Sequence, residues 1–448
     1  MNNFTRRDFL SLCLKGSVSM AALSSLQLQA MTGMVNSGQL NDYKALVCVF
    51  LFGGSDSLNM LIPLEGEPLK AYLASRQNLA VSSPLALSPT SPVDGGIGFH
   101  PALAPLVPIF NQQRLGVVPA VGSLISPLSL SQYQQGGAQV PKFLFSHNDQ
   151  QATWMQGREK SSLNYGWGGR LLEILEQNTN FAANISLGGN NLWQTAPNTR
   201  PFAMSQSGVT KIHAFNGGGN KTLAFRAQLE QMLAAASHPL GASYSDKLSQ
   251  SITNTEMLNL SLANATNLDN LFSDTSLSNQ LKAVAKTLSV QPQLNVGRQV
   301  FFVTMGGFDT HDNQVTTQPA LLGQLAQGLA EFDAALSQLN LQDSVTSFTM
   351  SDFGRTLSSN GDGTDHGWAG NQLVMGGAVK GGEIYGQVLQ QALKSQYDVG
   401  GGRLIPQIAN EQYFATLANW FGASSSSLND LFPNLSNFNQ QTLPIFAS

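Results

Sequence analysis

Cysteine, charge and long apolar runs are all scarce in this chain. It carries two cysteines in 448 residues, 23 basic and 27 acidic side chains, and a charged fraction of 11%. Cys13 falls in the leader described below, so Cys48 is left alone and no intramolecular disulfide is expected. Cys48 lies inside an apolar run and reads as a core thiol rather than a nucleophile. A net charge of −4 without a basic patch argues against nucleic acid as a partner. No segment offers about 18 uninterrupted apolar residues, so no transmembrane span is expected. Plentiful Asn, Gln and Ser keep such a chain soluble with few charges and say little about chemistry.

The first feature present is an address. Thr5-Arg6-Arg7-Asp8-Phe9-Leu10 precedes a mildly apolar stretch from Leu10 to Leu26 and a small-residue site at Leu28-Gln29-Ala30. Paired arginines before Asp-Phe-Leu form the pattern of a twin-arginine export signal. Residues 1–30 are expected to be that signal, read by the twin-arginine translocase, and the mature protein to be periplasmic or secreted. Lys15, Gly16 and several serines make the stretch too weak for a span.

The rest reads as α/β. Ala45–Leu51 (ALVCVFL) has the continuous apolar character of a strand buried on both faces. Arg114–Val121, Ala183–Gly188, Arg298–Thr304, the run from Val345 and Leu373–Met375 read as further strands. Leu321–Leu339 is an amphipathic helix between two of them, a βαβ unit whose right-handed crossover places both following loops on one sheet edge. Ala102–Gln113 reads as a helix blemished by Pro105 and Pro108, and residues 66–100 as an extended connection. Lys221–Leu288 has helical spacing and no strand, which predicts a mostly helical insertion over about 190–292. Gln412–Phe421 reads as a terminal helix, and Asn429–Phe438 as a surface tail packed by Phe432 and Phe438.

Chemistry-bearing residues gather where strands end. Asp56 follows the Ala45–Leu51 strand in FGGSDSLN, as a ligand or as a helix cap. The stretch brushes the GDSL esterase pattern, but no histidine here has Asp three residues before it to activate a serine. Ser146 and His147 stand at a predicted helix start, where free N–H groups favour anions. Ser146 reads equally as a nucleophile activated by a metal or as a cap. Asp309 and His311 share a loop after Arg298–Thr304, an O/N pair suited to Zn, Mn or Fe, or a capped turn. Asp352 ends the Val345 strand, Arg355 follows three residues on, and Asp362, Asp365 and His366 occupy the next loop. His100, before a proline at a helix start, reads as structural. Gly376–Gly382 lacks the spacing of a phosphate-binding loop, so no nucleotide is expected.

Together the Arg-Arg leader, FGGSDSLN, SHNDQQATWMQG, GGFDTHDNQ, SDFGRTLSSNGDGTDHG and GGAVKGG resemble the exported bacterial family called "domain of unknown function 1501", over nearly all of the mature chain. That family is similar to the alkaline phosphatase, sulfatase and phosphodiesterase superfamily. The resemblance implies an alkaline phosphatase-like domain over 41–448 and a large, mostly parallel central sheet flanked by helices. It further implies one or two divalent ions (Zn, Mn, Fe or Ca) held by Asp56, Asp309, His311, Asp352 and His366. Ser146 would be the nucleophile, with Arg355 and His147 neutralising an anionic group. The implied activity is hydrolysis of a phosphate or sulfate ester, of carbohydrate origin in one version. The alternative is a non-catalytic exported binding protein on the same fold. Phe353 stands where the superfamily carries a metal-binding histidine, so one of two metal positions is altered or lost. Asp309 and His311 are also closer together than the superfamily's pair, which leaves His311, Asp312 and Asn313 open as the partner.

Overall fold

The computed structural model describes residues 43–159, 164–175, 180–209, 219–235 and 238–447. The expected leader over 1–30 lies outside them. Among the described residues no helix is long and apolar enough to cross a membrane. The chain divides into two compact units.

The larger unit takes in Asp42–Gln206, Asn267–Ser289 and Val296–Ser448. Its centre is a nine-stranded sheet. The strands are β1 (Lys44–Leu51), β2 (Leu115–Gly122), β3 (Asn184–Ser186), β4 (Phe202–Ala203), β5 (Arg298–Met305), β6 (Val345–Ser351), β7 (Gly370–Met375), β8 (Glu383–Ile384) and β9 (Ile408–Ala409). They lie in the order β8-β2-β7-β6-β1-β5-β3-β4, with β9 also paired to β2. Pairing is mixed but mostly parallel: only β7 runs against its neighbours β2 and β6. β1 and β5 are apolar, and β6 is buried throughout, because helices cover both faces of a parallel sheet. Ala45 through Phe50 are completely buried. Cys48 is among them, and burial pushes its thiol pKa up, so it is inert.

The longer helices of this unit are α1 (Gly66–Arg76), α2 (His147–Gln156), α3 (Trp167–Leu175), α4 (Ser276–Ser289), α5 (Gln314–Leu339) and α6 (Asn410–Phe421). α4 packs on α5. An aromatic cluster ties α3 and α6 to the sheet. Trp167 stacks on Phe414 at 5.0 Å and lies 5.8 Å from Phe348 of β6.

Three sequence expectations need correction. Residues 66–100 are not simply extended: they hold α1 and two strands, Leu85–Ala86 and Ile97–Phe99, which join Leu61–Pro63 in a small antiparallel sheet. α1 buries only Tyr72, Ser75 and Arg76, so its sequence shows no apolar period. Ala102–Gln113 is broken into a 3-10 segment, Pro101–Leu106, and a short helix, Val107–Asn111. Each proline removes an N–H from the ladder. Asn429–Phe438 is less of a surface tail than its polar content implies, for Leu431 and Phe432 are buried against the aromatic cluster.

The smaller unit takes in Ser207–Thr266 and Val290–Asn295. Its described helices are Asn220–Ala234, Pro239–Leu262 and the short Gln291–Leu294. A bidentate Arg226–Glu256 pair, at 2.7 and 2.9 Å, links the first two.

Candidate functional site

Three strands end side by side. β1 is parallel to β5 and β6, and Leu51 pairs with both Met305 and Ser351. The loops after them therefore leave from one edge, the carboxyl edge where α/β sheets bind ligands. Gly53 lets two of those loops touch. Its φ is +115°, and a Cβ there would sit 2.3 Å from the Asp309 nitrogen. Phe52 N donates to Met305 O at 2.9 Å and Phe308 N donates back to Phe52 O at 3.2 Å, which docks the Asp309 loop on the end of β1.

His147, Asp309 and His366 meet at this edge, each offering a ligand atom within 4.8 Å of the others. His147 Nε2 is 3.5 Å from Asp309 Oδ2, and His366 Nε2 is 3.5 Å from Asp309 Oδ1. His311 adds a third imidazole: its Nε2 lies 2.9 Å from His366 Nε2 and 3.2 Å from Asp309 Oδ1. Asp309 and His311 form the open side, with side-chain exposures of 47% and 43%.

The far nitrogen of each ring is committed. His147 Nδ1 is 2.6 Å from Asp352 Oδ2, and His366 Nδ1 is 2.8 Å from the Phe145 carbonyl. Both acceptors require the hydrogen on Nδ1, which leaves Nε2 with a lone pair facing the cluster. His147 Nε2 is buried and has no hydrogen-bond partner. Such an orphan costs free energy unless something binds it, so the donor set fits a cation. Burial, followed by the charge of Arg355, lowers the His366 pKa despite the Phe145 bond. Burial acts to raise Asp309, but the Arg355 hydrogen bond and charge outweigh it and hold the carboxyl below its ordinary range.

Asp352 is thus an orienting group rather than a member of the cluster. It is fully buried and accepts from His147, from Gln151 Nε2 at 2.9 Å and from Gly53 N at 3.3 Å. Phe353 packs its ring against His147 at 4.9 Å and His366 at 4.6 Å. The position that reads as a lost ligand is an apolar wall that fixes two imidazoles.

Arg355 is not free to meet a substrate. It is 1% exposed. Its guanidinium donates to the carbonyls of Gly54, Thr364, Gly53 and Phe308 and pairs with Asp309. It is the rivet through three loops. Asp56 stands apart from the cluster, buried against Arg76 and Gln314. Its carboxylate belongs to a structural network in which Gln318 also takes the Asp56 carbonyl, at 2.6 Å. Ser146 makes no cap bond; its hydroxyl donates to Asp149 Oδ2 at 2.6 Å. It lies between Phe145, whose carbonyl orients His366, and His147.

Sequence reasoning gave no role to Gln151 or Arg403, and named Asp365 only as a member of the loop that carries His366. Gln151 had a legible signal: it follows His147 by four residues, so both face one side of α2. Asp365 Oδ1 is 3.3 Å from His311 Nδ1. Arg403 Nε donates to the His366 carbonyl at 3.0 Å, and its guanidinium lies 5.2 Å from the Phe145 ring centre. Nothing in the glycine-rich turn around Arg403 announces this in sequence.

This chain belongs to the family described as "Protein of unknown function (DUF1501)", which matches residues 43–400. Two solved structures are similar at a low level. "Crystal structure of Ps i-CgsB" is 11% identical over 89% of this chain and 77% of that one, with a TM-score of 0.38. "Crystal structure of Ps i-CgsB in complex with k-i-k-neocarrahexaose" has the same identity and coverage and a TM-score of 0.35. Similarity of that degree carries no argument about chemistry. No curated protein matches the chain.

Proposed function

We propose that the protein is a metal-dependent hydrolase of phosphate or sulfate esters, exported by the twin-arginine route and of alkaline phosphatase-like architecture. The observation that supports it is the convergence of His147, Asp309 and His366 within 4.8 Å on the edge where three parallel strands end. These residues would hold a divalent ion, which supplies charge stabilisation to an ester oxygen as its bond breaks.

The chain's own groups account for the rest. Ser146 attacks the phosphorus or sulfur, and its proton passes to Asp149, whose carboxylate already accepts its hydroxyl. Asp149 then gives the proton to the departing alcohol oxygen, and water cleaves the serine ester. Arg355 is consumed by backbone carbonyls, so Arg403 takes the role of meeting the substrate's charge. Its Nε is anchored on His366, it lies on the Phe145 ring, and Nη2 is left without a hydrogen-bond partner among the described residues.

The test is a turnover screen of aryl phosphates and aryl sulfates with metal-reloaded full-length chain, beside Ser146→Ala, Arg403→Gln and His366→Ala. Wild-type turnover that Ser146→Ala and His366→Ala abolish, and that Arg403→Gln slows through KM, supports the reading. A metal-loaded protein that turns over no ester of either class overturns it and leaves a binding protein on a hydrolase-like site.

A further inference from the structure

We infer that the cluster is a single-ion, nitrogen-rich centre for a first-row transition ion of the zinc class, with His311 as the fourth ligand beside His147, Asp309 and His366. The inference rests on the metal-site reading above. It adds the class of ion, its number and the residue that completes its shell.

Hydrogen positions come first. A neutral imidazole has one N–H. The Phe145 carbonyl and the Asp352 carboxylate claim it at Nδ1 of His366 and His147. For His311 the same assignment follows from two sides. Asp365 Oδ1 lies 3.3 Å from Nδ1, and Arg355 Nη1, which can only donate, lies 3.4 Å from Nε2. His311 and His366 therefore aim lone pairs at one another across 2.9 Å, with an Asp309 oxygen 3.2 and 3.5 Å away. Neighbouring electron pairs repel, and a cation between them turns that repulsion into bonding.

The spacings select the ion. Zinc bonds nitrogen and oxygen at about 2.0–2.1 Å, which puts neighbouring ligand atoms of a tetrahedron about 3.3 Å apart. The separations among His311 Nε2, His366 Nε2 and Asp309 Oδ1 are 2.9, 3.2 and 3.5 Å, and His147 Nε2 lies 3.5 Å from the other Asp309 oxygen. Three imidazoles and one carboxylate suit zinc, iron or copper, whereas calcium takes six to eight oxygens. Among the described residues this is the one group of three ligating side chains; Asp352 is taken by His147, Gln151 and Gly53, and Oδ2 of Asp56, away from the cluster, by Arg76 and Gln314. Four protein ligands do not bar a reaction, since zinc expands to five-coordinate in transition states. His311 and Asp309 face solvent, the side from which a substrate oxygen arrives.

The experiment titrates chelator-stripped full-length chain with Zn²⁺, Co²⁺ and Ca²⁺ by calorimetry. It counts bound metal by elemental mass spectrometry and records the visible spectrum of the cobalt form. The same is done for His311→Ala, and for Asp312→Asn as a neighbouring control. The expected result is one equivalent of Zn²⁺, no comparable Ca²⁺ binding, and an intense four-coordinate cobalt band. His311→Ala should weaken Zn²⁺ binding about tenfold or more and bleach that band, while its metal-free melting stays that of wild type; Asp312→Asn should change neither. Two equivalents, a preference for Ca²⁺, or a His311→Ala variant with wild-type affinity and spectrum would each overturn the inference. None of these readouts uses ester turnover, so failure of the hydrolase reading shows separately, as a centre that binds its ion and cleaves nothing.

Discussion

The Nδ1 atom of His147 is 2.6 Å from Asp352, and that contact decides what its other nitrogen can do. A carboxylate behind a ligating histidine fixes tautomer and ring angle, and losing it costs about 10- to 100-fold in metal affinity. Asp352→Asn is therefore expected to weaken Zn²⁺ binding by about that factor while one equivalent still binds at saturation. Calorimetry on the stripped protein reads it; unchanged affinity would mean that Asp352 does not orient His147. At this scale the sequence marked His366, Asp309 and His311 by loop position alone. It placed Asp352 with the ligands and His147 with the substrate's charge, whereas in the structure His147 joins Asp309 and His366 and Asp352 lies behind it; which of two imidazole nitrogens faces inward depends on partners hundreds of residues away. The phenylalanine at 353 read as a deficit for the same reason: its packing on two imidazoles is invisible until β6 and α2 are side by side.

Among the elements, the loop after β1 is held by conformation more than by contacts. Gly53→Ala would place a Cβ 2.3 Å from the Asp309 nitrogen at a φ of +115°. A loss of about 2 kcal/mol or more in denaturant unfolding is expected, together with weaker metal binding, since Asp309 must shift. Gly306→Ala lies in the adjoining loop with open space around it. It should be neutral or stabilising by about 0.5 kcal/mol. Helix α6 makes a different prediction. Burial lifts Glu411 from its ordinary 4.5 to about 7, against the pull of its Asn434 hydrogen bonds and of Arg158 and Arg170. The folded state thus holds this proton more tightly than the unfolded chain. The stability so gained is fully present below pH 4.5 and is lost as pH rises through about 7. Up to about 3 kcal/mol is involved, and Glu411→Gln should flatten that part of the stability–pH curve. Denaturant curves across this range decide it; a parallel slope in the variant would remove Glu411 as the cause. Strongly apolar strands such as β1 and β5 were legible, whereas α1, with little apolar surface to bury, left no period to read.

Across the whole molecule, an ion bound only by the folded chain must stabilise it. At a free Zn²⁺ concentration about a hundred times Kd the gain is about 2.7 kcal/mol. Calorimetric melting should rise with added Zn²⁺, fall back with chelator and become indifferent to both in His366→Ala. A wild-type melting curve unmoved by the ion would exclude a native-state site. The sequence by itself determined the α/β class, the central strands and the placing of polar loops at their ends, because burial on both faces of a parallel sheet demands apolar runs and turns demand glycine. It also carried the resemblance to the family the chain belongs to. Only the tertiary structure decided which polar residues share a site. Asp56 and Asp309 both follow strands, yet one is neutralised by Arg76 in a buried network and the other faces three imidazoles. Strand order, the direction each loop leaves the sheet and the hydrogen on each imidazole separate them, and all three are set by contacts distant in sequence.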